Sequence, residues 1–145
     1  MKKIIIINGP NLNLLGNRET DVYGKVTLKE IEAISIRKCQ ELQIECFFCQ
    51  SNNEGEMINY IHSSEKEYQG LIINPAAFTH TSVALLDSIR AISKPKIEID
   101  LSNIYQREEY RKKSITSEGV NGLICGFGPN SYILAIEAIK DLIYK

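Results

Sequence analysis

Two side chains within residues 8–24, NGPNLNLLGNRETDVYG, can move a proton or hold a charge: Arg18 and Tyr23. A tyrosine ordinarily ionises near pH ~10, so it serves as a base near neutrality only where its phenolate is stabilised. A cation beside it does that, and Arg18 stands five residues away in a Gly-bounded loop that could fold over a ligand. Proton abstraction beside a carbonyl then needs a group to hold the enolate charge. Asn11, in the Gly-Pro-Asn turn, could supply an amide donor directly or through water. By spacing alone, Arg18 and Tyr23 taken singly read as an exposed loop pair.

Three further stretches carry polar groups of the same kind. NPAAFTHTS puts Asn74 at a strand end and His80 at the start of a helix. A helix N-terminus disfavours protonated His, which predicts a neutral, hydrogen-bonding His80; a structural His is the equal alternative. EIDLSN sets Glu98 and Asp100 two apart on a strand, hence on one face, where each raises the other's pKa and a nearby Arg107 or Arg111 opposes that. The basic cluster Arg107, Arg111, Lys112, Lys113 reads first as a solvated helix face.

The elements that must position these groups follow from hydrophobic pattern. Five short apolar runs, Lys3–Ile7, Ile44–Cys49, Gly70–Ile73, Pro95–Ile99 and Gly122–Cys125, are continuous, as in strands covered on both faces. Between them TLKE at Thr27–Glu30 and SNNE at Ser51–Glu54 read as capping boxes ahead of helical apolar stripes. A third helix carries Val83, Leu86 and Ile89, and a last one has Pro129 near its start, then Ile133, Ile136, Ile139 and Leu142. This alternation predicts one α/β domain over residues 1–145: a flavodoxin-like, doubly wound, five-stranded parallel sheet in three α/β/α layers. Ligands in such a sheet bind beyond the carboxyl ends of the strands, where the candidate residues concentrate.

Composition narrows the partners. With 17 basic against 18 acidic residues and no long basic tract, nucleic acid is not expected. The first apolar run ends at Asn8, too short for a signal-peptide core, and no run reaches the ~18 residues of a membrane span, so a cytoplasmic protein without membrane contact is expected. Cys46 and Cys49 form a CxxC, but strand positions i and i+3 face opposite ways, so the four cysteines read as small hydrophobes rather than a metal or redox site. Neither GxGxxG in the first loop nor GxxxxGK[ST] anywhere is present, and GFGPNS at 126–131 follows the last strand.

NGPNLNLLGNRETDVYG, QSNNEG, NPAAFTHTSVALLD, EIDLSNIYQREEYRKKS and GFGPNSYILA together resemble type II 3-dehydroquinate dehydratase, in order and across nearly the whole chain. The resemblance implies a shikimate-pathway lyase that converts 3-dehydroquinate to 3-dehydroshikimate by anti elimination through an enolate, with no metal or cofactor. It casts Tyr23 as the base, Arg18 as the lid arginine that keeps it ionised, and Asn11 as the holder of a water against the enolate oxygen. Asn74, His80 and Arg111 would bind substrate hydroxyls and orient the ring. Leu101 and Ser102 would take the substrate carboxylate on backbone N–H groups and the Ser hydroxyl. Asp87 would reach a neighbouring subunit's site in a homo-oligomer, a dodecamer built from trimers. The loop of residues 8–24 would then be a catalytic lid.

The sequence departs from that family's pattern at one chemical position: E-[VI]-H-[LI]-S-N reads EIDLSN, placing Asp100 where a histidine protonates the leaving hydroxyl. A carboxyl of ordinary pKa is only about one part in a thousand protonated at pH 7, a deficit of roughly 4 kcal/mol if the acid form is required. Burial and Glu98 would narrow it. The readings are an active dehydratase with Asp100, or a water it holds, as the acid; a weakened member that binds hydroxy acids; and a flavodoxin-like nucleotide or phosphoacceptor module. Smaller departures are Cys49, where His or Arg is common, and Ala76, where Gly is common.

Overall fold

The computed structural model describes residues 1–17 and 19–145. Five parallel strands, β1 (Lys2–Asn8), β2 (Ile44–Gln50), β3 (Gly70–Asn74), β4 (Lys96–Asp100) and β5 (Gly122–Cys125), form one sheet in the order β2-β1-β3-β4-β5. The helices are α1 (Thr20–Tyr23), α2 (Leu28–Glu41), α3 (Glu54–Glu67), α4 (Val83–Ala91) and α5 (Asn130–Ile143).

The four isoleucines of β1 explain the layers. Ile4 and Ile6 point into one core with Ile31 and Cys39 of α2 and Ile136 and Ile139 of α5. Ile5 and Ile7 point into a second core with Met57 and Ile61 of α3 and Leu85 and Ile89 of α4. All four are fully buried, each stabilising the fold by about 1.5–3 kcal/mol. Continuous apolarity belongs to central strands. It fails at the edges: β2 alternates, leaving Glu45 and Phe47 exposed, and β5 is only half covered. Cys46 packs in the first core and Cys49 in the second, so the CxxC pair is split by the sheet as expected. All four cysteines are free.

The caps are partly relocated. Thr27 Oγ1 accepts from the Glu30 N–H at 3.2 Å, as the capping box requires. Ser51 does not cap α3. Its hydroxyl accepts from the Asn53 N–H, and Asn53 becomes the N-cap, accepting from Glu56. Val83 is exposed rather than part of the α4 stripe, which is carried by Leu85, Leu86 and Ile89. Among the described residues no helix is long and apolar enough to cross a membrane.

Candidate active site

The strand order reverses between β1 and β3, and a cleft opens beyond their carboxyl ends, as the doubly wound topology dictates. The two strand ends are held close: the Gly9 N–H donates to the Asn74 carbonyl at 2.8 Å. A Cβ on Gly9 would stand 2.5 Å from the Pro75 carbonyl oxygen, so only glycine fits. The cleft encloses about 630 Å³, open solvent at its mouth included. Asn11, Tyr23, Asn74, His80, Asp100, Leu101, Ser102 and Arg111 all line it. Arg18 lies outside the described residues. Asp87 does not line the cleft and stands exposed on α4.

The loop after β1 is anchored by its apolar members. Leu12 and Leu15 are buried in the first core, and Tyr23, at the end of α1, packs against the same cluster. Gly16 makes the return possible: at φ +90° its Cα passes so close to the Lys25 carbonyl that a Cβ would come within 2.9 Å. Asn11 adopts φ 69°, and its N–H is held by Asn52 Oδ1 at 2.9 Å.

Among the described residues, the cation that meets Tyr23 is Arg107. Its Nη1 donates to the Tyr23 hydroxyl and to Ser102 Oγ, each at 3.1 Å, and its guanidinium carbon lies 5.4 Å from the Tyr23 ring centroid. The solvated-helix reading of the basic cluster is therefore corrected. Residues 104–111 form two short 3-10 turns, not a long helix, which turns Arg107 and Arg111 inward to the cleft. Arg111 pairs with Glu108 at 2.9 Å, while Lys112 pairs with Glu109. Periodicity was a poor guide here because 3-10 turns do not repeat at the helical spacing.

The two carboxylates of β4 differ. Asp100 Oδ1 accepts from both the Ser102 N–H and the Ser102 hydroxyl, at 3.0 Å each. Burial raises its pKa above the ordinary aspartate value, and the two Ser102 donors, His80 and Arg107 oppose that rise. Glu98, 1% exposed, does not reach the cleft. It accepts from the hydroxyls of Ser114 and Thr116, and burial pushes it up to about 7 despite those donors, with Asp100 adding to the rise. The Asp100–Ser102 turn is pinned from the loop after β5: Gly126 and Gly128 N–H groups donate to the carbonyls of Asp100 and Leu101.

His80 does not begin α4. It ends the 3-10 turn Ala76–His80, and Ser82 caps the helix two residues later. The expectation drawn from a helix N-terminus therefore gives way to a direct contact, Nδ1 to the Lys113 carbonyl at 2.8 Å. That acceptor requires the proton on Nδ1 and aims Nε2 elsewhere. Asn74 is fixed at both ends: Oδ1 accepts from the Ala76 N–H and Nδ2 donates to the Tyr132 hydroxyl. Tyr132, fully buried on α5, donates in turn to Asn8 Oδ1 at 2.6 Å, and Asn8 Nδ2 donates to the Cys49 carbonyl. Sequence reasoning missed Tyr132 and the Tyr23 contact of Arg107. A phenolic hydroxyl among the isoleucines of a buried stripe was the available signal for the first, since such a group must find a partner.

Residues 2–140 match the family model Dehydroquinase class II. The chain belongs to this family. It is 51% identical over 142 residues to 3-dehydroquinate dehydratase of Caldanaerobacter subterraneus subsp. tengcongensis, covering 98% of this chain and 96% of that one. It is 54% identical over 143 residues to 3-dehydroquinate dehydratase of Clostridium botulinum, covering 97% and 96%. The crystal structure of type II dehydroquinase from Propionibacterium acnes superposes with a TM-score of 0.94 at 36% identity, covering 97% of each chain.

Proposed function

We propose that this chain removes water from 3-dehydroquinate to give 3-dehydroshikimate, as a carbon–oxygen lyase of the shikimate pathway acting by anti elimination through an enolate. The observation that carries the reading is one guanidinium, Arg107, bridging a tyrosine oxygen and a serine that already holds a carboxylate, all in the cleft at the switch point.

In this reading the Tyr23 phenolate takes the C2 proton, and Arg107, with Arg18, supplies its counter-charge. Asn11, with a bound water, holds the enolate oxygen. As the enolate collapses to the conjugated enone, hydroxide leaves with a proton from Asp100 or a water it orients. Asn74, His80 and Arg111 orient the ring, and the N–H groups of Leu101 and Ser102 with the Ser102 hydroxyl take the carboxylate. The scheme needs no cofactor. Residues 1–145 act as one domain of a homo-oligomer, a dodecamer of trimers, in which exposed Asp87 reaches a neighbour's cleft. Free cysteines support a cytoplasmic setting.

The test is purified protein with 3-dehydroquinate, following the ultraviolet absorbance of the enone. Turnover is expected, and Tyr23→Phe should lower kcat by about 10²–10⁴-fold. Absence of turnover across pH 5–9, with the protein folded, would overturn the reading. Light scattering on the eluted protein reads the subunit number directly.

A further inference from the structure

The Asp100 carboxylate occupies two of the three donors that the proposed substrate carboxylate would need, both of them on Ser102. Ser102 carries one N–H and one O–H, and both point at Asp100 Oδ1. Each hydrogen serves one acceptor well, so a substrate carboxylate and Asp100 cannot both be satisfied there. Ser102 Oγ still accepts from Arg107 with either occupant, so the cation stays in place while the anion exchanges.

We infer that Asp100 is the resident occupant of the carboxylate cradle, expelled when the substrate's carboxylate takes Ser102 and taking up a proton as it leaves. The inference rests on the dehydratase reading and makes substrate binding the step that arms the acid. Once displaced, Asp100 has lost two charge-assisted donors and stands beside a new anion. Glu98 flanks it on β4, and the buried, high-pKa Tyr132 faces it from α5. His80, from the turn after β3, and Arg107, from the segment after β4, favour its ionised form. Tyr23 and Arg111 line the same cleft. The protons balance over a turnover. Asp100 takes one from solvent on binding and gives it to the departing hydroxide as water. Tyr23 takes one from C2 and returns it to solvent when product leaves. Asp100, again a carboxylate, re-seats on Ser102.

The experiment is calorimetric titration of the Tyr23→Phe protein, whose turnover is slowed, with 3-dehydroquinate at pH 7, in buffers of different ionisation enthalpy. Uptake of about one proton per site is expected, and affinity should tighten by up to ten-fold for each pH unit lowered. In Tyr23→Phe/Asp100→Asn the uptake should vanish and binding at pH 8 should tighten roughly ten-fold, because a neutral amide competes weakly for Ser102. In Tyr23→Phe/Glu98→Gln the uptake should persist. Binding without uptake, uptake that survives Asp100→Asn, or uptake lost in Glu98→Gln each overturns the proposal while leaving the dehydratase reading intact. The pH dependence of affinity in Tyr23→Phe alone decides the matter if the Asp100 variant does not fold. Absence of both binding and wild-type turnover removes the dehydratase reading and the proposal together.

Discussion

Glu98 and Asp100 sit two residues apart on one face of one strand, yet they belong to different regions of the molecule. Glu98 lies in the closed interior, satisfied by the hydroxyls of Ser114 and Thr116. Asp100 lies where the strand runs out into the cleft, held by the following turn and overlooked by Arg107 and His80. The residue type is nearly the same, so the difference is made by surroundings. An interior carboxyl that keeps its proton up to about neutrality costs stability when it ionises, whereas a carboxylate at a strand end can exchange partners.

Substitutions can sharpen or break that contrast. The largest effect belongs to the cleft: Asp100→Asn should lower kcat about 10²–10⁴-fold, measured by enone formation. Arg107→Leu should lower kcat/KM by about 10²–10³-fold, because one guanidinium serves both Tyr23 and Ser102.

Glu98→Gln should leave kcat within a few-fold and change the pH dependence of stability instead. Its folded-state value, about 7, lies above the unfolded one, so its contribution is complete below the unfolded pKa of about 4.3 and is lost as pH rises through 7. The wild type should therefore lose about 3 kcal/mol relative to Glu98→Gln between pH 4 and 8. A rate loss in Glu98→Gln matching that of Asp100→Asn would erase the distinction between the two acids.

The smallest effect is expected at Ala76, which lines the cleft and adopts φ 54°, a conformation that disfavours any Cβ. Ala76→Gly should stabilise by up to about 1 kcal/mol without altering kcat, read as a small upward shift in the urea midpoint.

Much of this was legible in the residues. The five apolar runs gave the strands within a residue or two, and the rule that ligands lie beyond strand ends pointed to the segments that bring Asn11, Tyr23, Asn74, His80, Asp100, Leu101 and Ser102 to one place, whereas Arg111 was reached only through the family resemblance. What escaped shares a physical cause: local side-chain-to-backbone bonds outrank periodicity over short distances. Ser51 bonds Asn53 and moves a cap by two residues, Asp100 folds onto Ser102, and 3-10 turns redirect Arg107. The exposed edge of β2 was invisible because strand order is a tertiary fact.

The bonds from Ala76 through Asn74, Tyr132 and Asn8 to Cys49 run in one sense, each group donating to the next. Such a chain behaves like a row of cogs: reversing one amide forces the next to turn, and the terminal carbonyl of Cys49 cannot accept the reversal because it has no proton to give. The face that Asn74 turns toward the cleft is thus dictated from the far side of β1. Recruiting this scaffold for a ligand that needs the opposite polarity at Asn74 requires Tyr132 and Asn8 to change with it, a coupled substitution across residues more than a hundred positions apart.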